Sequence, residues 1–159
     1  MVMLLGFTLR AQDQSKMQSA YLYHFTKYME WPSQKQTGDF MIAVVGNSPI
    51  YAHLVTMSTT KKVGMRKIVV RKYSSVSAVP VCHMLFLSTN KSSQFNEAVL
   101  KGRKYHALVI TEKNGYGRRG AGINFVTING KPKFEVSESA ITKYGIKVSA
   151  KLVQLGIKV

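Results

Sequence analysis

Apolar and aromatic residues fall at Met17, Ala20, Tyr21, Phe25, Tyr28 and Met29, close to the helical period, and predict an amphipathic helix over residues 15–30. Trp31-Pro32 ends it, because proline denies the helix an N–H and crowds the residue before it. A compact apolar run over 40–45 then predicts a strand, and Gly46-Asn47-Ser48-Pro49 predicts a turn into a helix that continues through Met57, with Ser48 as its cap. Lys62-Val63-Gly64 predicts a turn before a β-branched strand at 68–71. Further on, the pattern predicts a strand at 83–88, a helix at 92–100 closed by Gly102, and a strand at 106–111.

The last third changes period. Residues 123–128 and 133–136 alternate on either side of Asn129-Gly130, a strong two-residue hairpin signal. Ser137 is placed to cap a helix through Tyr144 that Gly145 closes, and 148–155 forms a short last helix. Strands alternating with helices require both sheet faces to be covered, so the expected fold is α/β. It is a single three-layer Rossmann-like domain, with a largely parallel sheet and an antiparallel hairpin at one edge.

Composition sharpens this in three ways. A chain of 159 residues with 45% hydrophobic content can bury one full core but not two. With 23 Lys and Arg against 7 Asp and Glu, the net charge is +16, a field that attracts anionic partners. The basic residues are spread over the chain in short clusters, Lys61-Lys62, Arg66-Lys67, Arg71-Lys72 and Arg118-Arg119, as a solvated surface would have them. Residues 1–12 read as the remnant of a signal peptide, cut near Ala11-Gln12, so the domain proper spans 13–159 and the protein is expected to be exported.

Most groups that resemble chemistry lack a mechanism. Residues 115–120 match G-x-G-x-x-G, but a strand and not a helix is expected to follow, so the amides that would hold a pyrophosphate are missing. The same region has Ala121 and Ile123 where an RNA-recognition strand needs aromatic faces, which argues against nucleic acid. Arg118 and Arg119, set among glycines, remain candidates for gripping a small anionic ligand through their guanidinium forks. Cys82, the single cysteine, rules out an intrachain disulfide. Adjacent Cys82 and His83 in a strand point to opposite faces, so core roles are expected for both. No histidine spacing suits a metal and no nucleophile has a partner base. The expectation is a non-enzymatic protein with no cofactor and no metal.

On the first helix the stripe Tyr21, Phe25, Tyr28 and Trp31 reads as core, while Tyr23, His24 and Lys27 turn to the other side and are candidate partner-binding residues. The ordered blocks from Tyr21 to Pro32, Val45-Gly46-Asn47-Ser48-Pro49, residues 82–88, Gly122-Ile123-Asn124-Phe125, Phe134-Glu135-Val136 and Gly145-Ile146-Lys147-Val148-Ser149 together resemble the YfiR family. That resemblance implies a periplasmic regulator whose partner is the periplasmic domain of a membrane diguanylate cyclase, relieved by an outer-membrane lipoprotein. The rival expectation is a periplasmic module for small anions or nucleotides, and behind it a basic nucleic-acid-binding protein. A homodimer is compatible with each.

Overall fold

Strand segments buried on both faces, with no polar face to give to solvent, must lie inside a sheet covered on both sides. Phe40–Val45, Met84–Leu87, Leu108–Thr111 and the first half of Ile123–Ile128 meet that description. The computed structural model describes the backbone from Met3 to Val159 and the side chains from Gln12 onward. The leader expected at residues 1–12 lies, apart from Gln12, outside the residues whose side chains are described.

In chain order the elements are α1 (Met3–Tyr28), β1 (Met29–Glu30), β2 (Phe40–Val45), α2 (Ile50–Thr60), β3 (Lys62–Val63), β4 (Arg66–Tyr73) and β5 (Met84–Leu87). They continue with α3 (Phe95–Tyr105), β6 (Leu108–Thr111), α4 (Tyr116–Arg119), β7 (Ile123–Ile128), β8 (Lys131–Val136), α5 (Glu138–Lys143), β9 (Lys147–Val148), α6 (Ala150–Leu155) and β10 (Ile157–Lys158). The main sheet has the order β10-β8-β7-β6-β5-β2-β4-β3; β4, β2, β5, β6 and β7 run parallel, and β7–β8 and β3–β4 are antiparallel. This is the expected α/β architecture. The hairpin turns at Asn129 and Gly130, both with positive φ (52° and 75°) as a two-residue turn of this hand requires. It stops one place short of the edge, because the last residues return as β10 and pair with β8 through Ile157↔Glu135.

Register decides which side chains share a face. Ile42 pairs with Val70 and Met84, Met84 with Leu108, Ile110 with Ile123, and Phe125 with Phe134, placing all of them on one side. The helix α1 closes over that side. Phe25 stacks on Phe125 at 6.3 Å and meets Phe134 edge-on at 5.1 Å, and Tyr21 meets Phe134 edge-on at 5.2 Å. On the opposite side α3 packs so closely on β6 that a Cβ at Gly102 would lie 2.7 Å from Val109 Cγ2.

Several boundaries differ from expectation, among them the start of α1 at Met3, the strand at Lys62–Val63 and the longer β4, and two of the differences have a clear physical reason. The first helix ends at Tyr28 because Met29 and Glu30 pair antiparallel with Val148 and Lys147. That contact between distant segments holds them extended two residues ahead of Trp31. The helix α3 runs past Gly102 to Tyr105 and is capped in the left-handed region by His106 (φ 55°), whose Nδ1 donates to the Tyr144 carbonyl at 2.9 Å. Gly102 serves close packing and not chain reversal.

A buried basic node secures the amino end of the sheet. The Arg66 guanidinium donates to the carbonyls of Gly38 at 2.8 Å, Lys35 at 2.9 Å and Thr37 at 3.3 Å. His83 accepts from the Met41 N–H at Nδ1 (3.1 Å), which leaves the proton on Nε2 for the Lys35 carbonyl at 2.8 Å. Arg66 Nη2 also lies 3.0 Å from Nε2, but two donors cannot bond, so that approach is packing. Lys35, itself buried, donates to the carbonyls of Cys82 and Tyr105. Three cations of the basic excess are thereby used: Lys35, Arg66, and Lys101, which binds the carbonyls of Val76 and Val79 at 2.7 and 2.6 Å.

Burial pushes the Cys82 thiol up to about 12, against a smaller downward pull from Lys35 and Lys101. At neutral pH it is therefore a core thiol and not a thiolate. Labelling of the native protein by a thiol reagent should proceed only at the rate of unfolding, at least a hundredfold (about two decades) slower than in urea, the reagent gaining access only in opened molecules. Labelling at equal rates in both states would place Cys82 at the surface.

Candidate functional site

Two helix faces that the core uses only in part, through Tyr23 and Met57, lie side by side on the α1–α2 side of the sheet. On α1 the residues Lys16, Ala20, Tyr23, His24 and Lys27 recur at helical spacing, and on α2 His53, Met57 and Thr60 do the same. Between them runs a groove of about 390 Å³ that Lys61, just past the end of α2, also lines. Its floor is Ala20, the half-buried ring of Tyr23 and the stem of Met57; its rim is cationic. The Lys27 and Lys61 ammonium groups sit 5.0 and 5.6 Å from the centroid of the Tyr23 ring, within cation–π range. No carboxylate is among the groove's lining residues.

The three residues picked out on α1 are thus brought together. Tyr23, His24 and Lys27 share one wall of the groove, Tyr23 half-buried and the other two exposed. His53, Met57 and Lys61 complete it, and the sequence reading missed their role. The signal was present as a second polar-faced helical repeat on α2, but nothing local says that this face lies against α1.

Arg118 and Arg119 lie elsewhere. Both are exposed on α4, which packs on α3 across the sheet from the groove through Phe95 and Tyr116, whose ring centroids are 4.4 Å apart. The Arg119 guanidinium covers these rings, 4.7 Å from Tyr116 and 5.3 Å from Phe95. Of the glycines around them Gly117 serves packing, a Cβ there lying 2.7 Å from Glu135 Oε1, while Gly115 and Gly120 take positive φ (87° and 124°) at the two ends of α4. The G-x-G-x-x-G spacing is met here without the long helix that binds a pyrophosphate.

In open parallel sheets ligands bind where the strand order reverses, here at the carboxyl ends of β2 and β5. This chain fills that crevice itself. At Gly46 (φ 90°) an added Cβ would meet Asn90 Oδ1 at 2.6 Å and Lys91 Cγ at 2.7 Å. The polar residues Asn124 and Glu135 are likewise occupied: Thr111 Oγ1 donates to Asn124 Oδ1 at 2.7 Å, and Asn124 Nδ2 donates to Glu135 Oε1 at 2.7 Å. They tie β6, β7 and β8 together. Among the described residues no three His, Cys, Asp or Glu side chains cluster as metal ligands, and no helix is long and apolar enough to cross a membrane.

The molecule is a three-layer α/β domain with its sheet crevice filled at Gly46, with Asn124 and Glu135 paired, and with a cationic groove between two helices. Residues 15–157 match the YfiR/HmsC-like family, and the chain belongs to it. No curated protein matches the chain. The family is a regulatory, non-catalytic one associated with the periplasm and with membrane diguanylate cyclases.

Proposed function

We propose that this protein is a periplasmic regulator that restrains a membrane-bound diguanylate cyclase by binding its periplasmic segment in the α1–α2 groove. The observation that carries the reading is the convergence of Tyr23, His24 and Lys27 with Lys61 around an apolar floor. Aromatic and aliphatic area supplies affinity there, and the cationic rim selects a partner segment with acidic residues beside its apolar ones. Restraint needs no nucleophile. It needs the groove to bind one conformation of the cyclase more tightly than the other, and an outer-membrane lipoprotein relieves it by drawing the regulator away.

Reversing the rim with Lys27→Glu and Lys61→Glu together should weaken binding to the isolated periplasmic segment by about a hundredfold, since like charges then face each other in a half-desolvated site. Calorimetry of the pair measures this, with circular dichroism confirming the fold. In cells the same variant should leave cyclic diguanylate as high as gene deletion does. Unchanged affinity would remove the groove from the contact, and unchanged cyclic diguanylate after deletion would defeat the regulatory reading.

A further inference from the structure

A second pocket, of about 290 Å³, lies at the carboxyl end of β6 and β7 against α1. Gln14 and Gln18 reach it from α1, Glu112 and Asn114 from the end of β6, and Phe125 and Thr127 from β7. That volume equals the liquid share of about ten waters, enough for a small organic molecule.

Gln18 is only 8% exposed, and its Oε1 is buried without a hydrogen-bond partner. Its Nε2 lies 3.5 Å from Glu112 Oε2, and Thr89 Oγ1 lies 3.4 Å from Glu112 Oε1. Both contacts are at the outer limit of hydrogen bonding, and a carboxylate offers about four acceptor positions, so most of the acceptor capacity of Glu112 is unused. Burial moves the Glu112 carboxyl above its ordinary range, opposed by these two contacts, with no described Lys or Arg contributing. Among the described residues, no basic side chain contributes to the electrostatics of this half-buried acid. The nearest in sequence, Lys113, sends its ammonium to Ser92 Oγ at 3.2 Å.

An unfilled carboxylate, an orphaned amide oxygen and an adjoining aromatic ring make a set that lacks donors and positive charge. We propose that this pocket binds a small molecule through a primary ammonium group, which donates to Gln18 Oε1 and to the Glu112 carboxylate with Phe125 beside it. Three N–H donors on one centre match three acceptors, whereas a water brings two donors and no charge. The net positive field opposes a cation at long range, but at physiological salt it is screened over about 8 Å while a half-buried carboxylate at contact distance is not. Glu112 in this role lowers stability, as groups kept for binding commonly do. The site is independent of the α1–α2 groove.

Three probes of nearly equal shape test it on the full chain: ethanolamine, which carries the ammonium, ethylene glycol, which lacks it, and glycolate, which reverses the charge. Amide chemical shifts at Gln18 and Glu112 should move saturably with ethanolamine, at the millimolar affinity so small a probe allows, and not with the other two. Glu112→Gln keeps the shape and should weaken ethanolamine by about tenfold or more, and Gln18→Leu should weaken it less. Glu112→Gln should also unfold at higher temperature at pH 7, so misfolding will not imitate the loss. Equal response to ethylene glycol would mean a water-filled pocket only. No saturable shift, or one that survives Glu112→Gln unchanged, would overturn the proposal.

Discussion

Phe25→Ala lowers the free energy of unfolding by about 3–5 kcal/mol, the range for removing a fully buried phenylalanine from a core that cannot collapse around the cavity. Phe25 is fully buried, and its ring packs on Phe125, Phe134 and Tyr21 at 6.3, 5.1 and 6.2 Å between centroids. The surroundings are β7 and β8, held by their own hydrogen bonds, so relaxation is limited. Against a total of about 5–15 kcal/mol for a domain, such a loss brings the protein close to unfolding at physiological temperature. Urea titration with an unchanged slope measures it. Tyr23→Ala, two residues away and only half-buried in the groove, should cost clearly less than Phe25→Ala, and equal costs at both positions would contradict the division of α1 into a fully buried face and a groove face.

Acidification from pH 7 to 4 removes about 3 kcal/mol of stability through His83 alone. Burial lowers this imidazole to about 4 from its ordinary 6.5, Lys35 and Arg66 adding to the effect and the Lys35 carbonyl opposing it. The native state refuses a proton that the unfolded chain accepts. Stability from this group is therefore complete above about pH 6.5, falls as the pH drops through that value, and is fully lost below about pH 4. The raised carboxyl of Glu112 acts in the opposite sense, its cost being relieved as pH falls. Subtracting the pH profile of His83→Gln from that of the wild type isolates the histidine. The difference between pH 6.5 and 5, above the ordinary carboxylate range, should approach the slope of one proton. Parallel profiles would mean that the ring is protonated in its buried site.

The blocks by which the chain resembles its family turn out to have physical work. Asn124 and Glu135 face each other across β7 and β8 and are joined by a hydrogen bond, so Gly122-Ile123-Asn124-Phe125 and Phe134-Glu135-Val136 are two halves of one register device. Gly122 has no room for a side chain, since a Cβ would meet Leu108 Cδ1 at 2.6 Å. Gly145 (φ 80°) turns the chain after α5 beside His106. Those blocks specify a scaffold. The groove is built mainly from residues outside them, with Tyr23, His24 and Lys27 inside the first block and His53, Met57 and Lys61 in none.

What the amino-acid order determined by itself is whatever depends on neighbours a few residues apart. The span of β2, the Asn129-Gly130 turn, the Ser137 cap with its bond from the Ala140 N–H, and the split of α1 into aromatic and polar faces all follow from local periodicity and side-chain chemistry. The early end of α1, the strand β10 beyond the hairpin, and the extension of α3 past Gly102 were decided by pairings between segments far apart in the chain. So were the groove and the pocket at Glu112. Each joins surfaces from separate elements, and a half-polar helix face or a lone glutamate reads alike whether it meets solvent or a partner. Only packing on a common sheet brings Tyr23 against Lys61, or carries Glu112 to Gln18.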